Sequence, residues 1–171
     1  SDTEKAIDFD NVQTRAFVES ADLLRMGVFA QRNNVTGSNS YKMILENEKV
    51  SRTSSSAPWT YENTRYWARD IDYHFFAVWP YSSGENTSVT NVTEVEPVAG
   101  DGPYSYSVTF ETPEKADQEL LTAKKEVNTR EQIPESVGFD FQHDLTNINL
   151  KIWSNGAPEN VQDKIRVKEV T

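Results

Sequence analysis

The residues of this chain that could do chemistry are few and scattered. There are two histidines, His74 and His143, and they stand far apart in sequence. As a base or a metal ligand, either would need a partner close by. His143 falls on the apolar side of an alternating run and reads as a hydrogen-bonded core histidine; His74 reads as facing solvent or a sheet edge. Asp70 and Asp72 are two apart, which on a strand puts both carboxylates on one face. A calcium site would want more oxygen ligands than that. Glu94 and Glu96 share a face in the same way. As paired carboxylates for glycoside hydrolysis they would need a partner across a cleft, and they read as a solvated edge. Ser54, Ser55, Ser56, Ser105 and Ser107 have no acid–base partner, so nucleophilic catalysis has no support. There is no phosphate-cradling glycine loop. The expectation is no catalytic residue, no metal and no cofactor.

Aromatic residues are the other chemical resource. Three of the four tryptophans, Trp59, Trp67 and Trp79, lie within Trp59 to Pro80, with Tyr61, Tyr66 and Tyr73. Flat rings suit sugar stacking, and Trp59, Trp67 and Trp153 are the candidates for it. That reading needs at least two of the rings exposed and coplanar. Large aromatics in a β protein more often form the core.

Composition narrows the classes further. The chain has 171 residues, 26% charged and 36% hydrophobic, which suits a globular protein with a real core. Seventeen basic against 27 acidic residues give a net charge of −10. Such a surface repels phosphate backbones, so nucleic acid is not an expected partner. No apolar run approaches the roughly 18 residues of a spanning helix. The absence of cysteine removes disulfides, thiolate catalysis and cysteine zinc sites. The chain opens on the polar Ser1-Asp2-Thr3-Glu4-Lys5, which reads as a mature or trimmed N-terminus with no visible signal peptide.

The elements that must carry these residues are strands. Ala6 to Asp10 alternates, with Ile7 and Phe9 on one face. Arg25 to Gln31 puts Met26, Val28 and Ala30 together, and Tyr41 to Leu45 is apolar on both sides, as in a buried strand. Asp70 to Trp79 carries Ile71, Tyr73, Phe75, Ala77 and Trp79 on one face; on the other, Phe76 and Val78 imply a second cover. Tyr104 to Phe110 and Val137 to Leu145 alternate cleanly, and Ile148, Leu150, Ile152, Ile165 and Val167 continue the pattern. Turn-rich connectors separate these runs, among them residues 33–39, 51–58, 82–86, 99–103 and 154–158. Helix signals are confined to Ser20 to Leu24 and to Thr112 to Glu126, where Pro113 stands near a plausible start. The expected fold is all-β: one β-sandwich domain over residues 1–171, with about seven or more mostly antiparallel strands and one or two short helical turns.

Four segments, in order, resemble a known family. Ala21-Asp22-Leu23-Leu24 through Val28-Phe29-Ala30 is similar to its early strand. Trp59, Tyr66-Trp67 and Tyr73-His74-Phe75-Phe76-Ala77-Val78-Trp79-Pro80 resemble its tryptophan and F-A-y-y-P signature. Asp117 to Ala123 looks like its D-L-L-x-A element, and Val137 to Ile148 is similar to its v-x-l-x-F-x-H-x-l motif. The family is the N-terminal domain of fimbrillin-like proteins, the type V pilins and related surface lipoproteins of certain Gram-negative anaerobes. Two local departures are Ala68, where the family has proline, and the stretched Asp117-Gln118-Glu119-Leu120-Leu121. The family also continues into a second sandwich, so this chain is expected to be an isolated N-terminal domain or a truncated relative.

The resemblance implies a transthyretin-like sandwich exported to the cell surface and held at the outer membrane by a lipid anchor outside this chain. It implies a protease that cuts after arginine beyond the first strand, and a groove that then accepts a strand from another pilin subunit. Here the leaving strand would be Ala6 to Asp10, carrying Ile7 and Phe9, and the cut would fall at Arg15-Ala16. The second reading is a non-polymerising surface module that binds glycan or host protein through Trp59, Trp67 and Trp153.

Overall fold

The computed structural model describes residues 4–14, 23–81, 90–110 and 120–142. The elements run β1 (Gln13–Thr14), β2 (Arg25–Asn33), β3 (Tyr41–Ser51), β4 (Asp72–Trp79), β5 (Thr90–Val95), β6 (Ser105–Phe110), β7 (Leu121–Asn128) and β8 (Asp140–Phe141). The chain is all-β, as its alternation implies. A four-stranded antiparallel sheet has the order β3-β2-β4-β7. β5 and β6 form an antiparallel pair, and β1 runs parallel to β8. A bridge between Thr122 and Gln142 ties the end of β8 back to β7.

Both faces of the four-stranded sheet are covered, which is why β2 is buried nearly end to end. One face carries Met26, Val28, Ala30, Tyr73, Phe75, Ala77, Leu121 and Ala123. It packs against Ile7, Phe9, Val12, Trp59, Trp67, Val137, Phe139 and Phe141. The other face holds a smaller cluster of Phe29, Phe76, Val78, Val108 and Leu120, with Tyr106 against it. Alternation along β4 therefore feeds two cores, as its sequence pattern implies. Pro80, which has no N–H to donate, follows its last residue.

Three expectations are corrected. Leu121 to Glu126 is strand β7, although Thr112 to Glu126 is rich in helix formers. Pairing along the whole of β4 overrides that propensity; residues 111–119 lie outside the described residues. Among the described residues the helical turn is a 3-10 turn at Val98–Gly100, and Leu23 and Leu24 are not helical. Tyr41 to Leu45 belongs to a longer strand, β3, at the end of the sheet order, so its outward residues are half-buried or exposed. Beyond the shared face read for Glu94 and Glu96, β5 had no counterpart in the sequence reading, although Thr90, Val92 and Thr93 are β-branched. His143, Leu145, Ile148, Leu150, Ile152, Ile165 and Val167 lie outside the described residues.

Candidate functional site: the seat of the first segment

Residues 5–14 run through the middle of the larger core, bonded to main chain on both flanks. On one flank the Trp67 N–H donates to the Lys5 carbonyl (2.9 Å) and the Ile7 N–H to the Arg65 carbonyl (2.8 Å). On the other, the Val137 N–H donates to Asp8 C=O (2.8 Å), Asp10 N–H to Val137 C=O (3.1 Å), and Gln13 N–H to Phe139 C=O (2.8 Å). The pairing is antiparallel at Ala6–Tyr66 and parallel at Phe9–Val137 and along β1–β8. A segment held this way is an interior strand in hydrogen-bonding terms, though its regular ladder is interrupted.

The expectation that Ile7 and Phe9 face the core holds: they are 0% and 4% exposed. The Phe9 ring stacks on Phe139 (5.9 Å) and meets Tyr61 (5.5 Å) and Phe75 (6.2 Å) edge-on. The alternation then slips. Asn11, next in phase, is exposed with φ 52, and Val12 is buried instead. Gly138 lies under that kink: a Cβ there would meet the Asp10 and Asn11 carbonyl oxygens, each at 3.3 Å.

Two side-chain contacts fasten the segment. The Tyr61 hydroxyl donates to the Ile7 carbonyl and accepts from the Arg65 N–H (3.1 Å). Burial pushes the Tyr61 phenol above its ordinary pKa. Lys5 Nζ donates to Glu135 Oε1 at 2.8 Å, and that hydrogen bond with the lysine charge holds the exposed Glu135 carboxyl below its usual range. Sequence reasoning singled out neither pair, because each joins residues distant in the chain. Tyr61 stood in the aromatic cluster, but its partner was not legible there. Arg15 and Ala16, the candidate cut, lie outside the described residues; Thr14 just before them ends β1.

The glycan-stacking expectation is corrected for two of its rings. Trp59 and Trp67 are 8% and 7% exposed, inside the larger core. Trp59 is also covered by the Arg52 guanidinium, 4.4 Å from the ring centroid, and Trp67 packs edge-on to Tyr73 at 4.8 Å. Neither presents an open face to a sugar. Trp153 lies outside the described residues.

The acidic and histidine candidates do not converge. Asp70 adopts φ 60, so β4 begins at Asp72 and the two carboxylates do not share a strand face. Asp72 serves as a staple for the neighbouring turn. It accepts from Asn33 Nδ2 (2.8 Å), the Gly37 N–H (2.8 Å) and Asn128 Nδ2 (2.6 Å). Partial burial pushes its carboxyl up, but these hydrogen bonds and nearby His74 outweigh that and leave it below the usual range. His74 stands edge-on to the Tyr41 ring at 5.1 Å, with Nδ1 3.5 Å from Glu126 Oε1. Both His74 and Glu126 line a cleft of about 370 Å³, together with Gln31, Phe76, Tyr106 and Lys124. Glu94 belongs to β5, while Glu96 lies beyond its end. Among the described residues, no group of three or more histidines and carboxylates could hold a metal ion. No helix among them is long and apolar enough to cross a membrane.

These features define a class of protein: an all-β sandwich whose distinctive parts are apolar pockets and main-chain groups that hold an extended segment. A family model described as fimbrillin-like matches residues 14–171, and the chain belongs to the fimbrillin-like family. The walls of the seat lie inside that match, and residues 4–13 precede it. No curated protein and no solved structure matches the chain. The family is a structural pilin family of cell-surface proteins, and membership implies assembly with other pilin subunits in general.

Proposed function

We propose that this protein is a fimbrial subunit or pilus-associated adhesin that assembles by strand exchange. In this reading, cleavage at Arg15-Ala16 frees the first segment. The emptied seat then takes an extended strand from a neighbouring subunit. Residues 1–171 act as one sandwich domain, exported and lipid-anchored at the outer membrane. The observation that carries the reading is the double-flanked pairing of residues 5–14. Removing the segment takes main-chain partners from Arg65, Trp67, Val137 and Phe139. It also opens the pockets filled by Ile7, Phe9 and Val12. An incoming strand restores both the hydrogen bonds and the apolar burial.

Limited digestion with an arginine-specific protease, read by intact mass and size-exclusion chromatography, tests this. The expected result is a cut after Arg15, followed by self-association or capture of an added strand peptide. A chain that is cut there yet neither self-associates nor takes up a strand overturns the assembly mechanism.

A further inference from the structure

The seat has an irregular shape that a regular strand does not match. A regular β-strand buries every second residue. The resident segment does so at Ile7 and Phe9 and then shifts phase, burying Val12 and turning Asn11 outward at φ 52. The shift belongs to the walls as much as to the segment. Gly138 lets the Asp10–Asn11 backbone approach to a distance that a side chain would crowd. Past the kink, β1 takes up parallel pairing with Asp140 and Phe141.

We propose that the seat accepts an extended arm of another subunit that carries apolar residues at its first, third and sixth positions and Asn, Asp or Gly at its fifth. The third position favours an aromatic ring, because the Tyr61, Phe75 and Phe139 rings form that pocket. The fifth must adopt positive φ, which Gly adopts freely, Asn and Asp tolerate, and β-branched residues resist. The arm runs parallel to residues 137–141, since only that direction reuses the hydrogen bonds of Asp8, Asp10 and Gln13 as they stand. A uniformly alternating strand would fill the first two pockets and then turn its polar face inward. The inference rests on the strand-exchange reading and adds a sequence requirement to it.

The test uses the full chain with a specific protease site inserted after Arg15, so that cutting does not depend on a natural protease. Labelled peptides spanning residues 4–14 are offered to the cut chain, and their incorporation is measured by fluorescence anisotropy. The peptides are the native sequence, Asn11→Gly, Asn11→Val, Phe9→Ala, and one lacking Asn11 that alternates uniformly. The native and Asn11→Gly peptides should bind alike. Asn11→Val should bind about tenfold more weakly, and Phe9→Ala about a hundredfold more weakly. The uniformly alternating peptide should lose binding comparably to Asn11→Val. If the native, Asn11→Val and uniformly alternating peptides bind alike, the selectivity is overturned while strand exchange stands. If no peptide binds, the strand-exchange reading itself fails and the selectivity falls with it.

Discussion

The ring of Phe9 lies stacked on that of Phe139, 5.9 Å between centroids and 16° from parallel. The pair joins the first described segment of the chain to the last. Tyr61 and Phe75 also meet the Phe9 ring, each edge-on. One side chain thus couples the first segment to three separate stretches of the core.

Replacing Phe9 with Ala should cost about 3–5 kcal/mol of stability, the usual range for deleting a buried phenylalanine. Urea unfolding followed by tryptophan fluorescence would measure it, because Trp59 and Trp67 share that core. The same variant should expose the Arg15 bond to protease sooner. A loss below about 1 kcal/mol would mean that the core closes over without the ring.

Asp72 should make the protein acid-sensitive in a defined direction. Its folded pKa is depressed, so the stability it contributes is fully present above the unfolded value, near about pH 4, and is lost as pH falls through the lower folded value. Asp72→Asn should flatten stability against pH in that acidic window. Asp72→Ala should cost about 1 kcal/mol at neutral pH, chiefly through the buried Asn33, since the exposed Gly37 and Asn128 donors can turn to water. Denaturant melts between pH 2 and 7, values chosen to bracket the ordinary carboxylate range, would show both effects.

Gln31 fastens the β5–β6 pair to the sheet, and its loss should loosen that cover. Its Nε2 donates to the Tyr104 carbonyl (3.0 Å) and to the Tyr106 hydroxyl (3.2 Å), and its Oε1 accepts from the Tyr104 N–H (2.7 Å). Gln31→Leu should cost about 1–3 kcal/mol by stranding those groups. Burial raises the Tyr106 phenol well above its ordinary pKa. Stability from that burial is present below the unfolded tyrosine pKa and is lost as pH rises toward the folded value. Ultraviolet titration should find Tyr106 among the tyrosines of the native chain that resist ionisation, and Gln31→Leu should raise that resistance further, because the Gln31 N–H donated to the Tyr106 hydroxyl favours the ionised form.

Much of this architecture was legible in the sequence, for identifiable reasons. The two faces of β4 were legible because Asp72 and His74 mark one face at its start, and the continuous apolar run from Phe75 to Trp79 then signals cover on both sides. Ile7 and Phe9 were legible by plain alternation with the exposed Asp8 and Asp10. Gln31 was not: a polar residue in a strand looks solvent-facing, and its buried role is fixed by Tyr104 and Tyr106, some seventy positions away. β7 was hidden because Lys124, Lys125 and Glu126 are helix formers, and only the pairing with β4 makes them a strand. The kink at Asn11 was invisible because it requires a close neighbour, Gly138, that local sequence cannot supply.

That neighbour gives the last prediction. At Gly138 even a methyl group would crowd backbone, the carbonyl oxygens of Asp10 and Asn11 at 3.3 Å, and not the movable tip of a side chain. A branched side chain has less room still, so Gly138→Val should push the first segment away from residues 137–139. The expected cost is about 1–3 kcal/mol, the usual range for overpacking. Because the strain falls on the segment and its seat, hydrogen exchange should rise first at Asp10 and Gln13, whose N–H groups bond across this interface. The β2–β4 ladder, paired from Gly27 to Arg32, should stay protected. Uniform loss of protection across both regions would instead show that the segment and the sheet open together, as one cooperative unit.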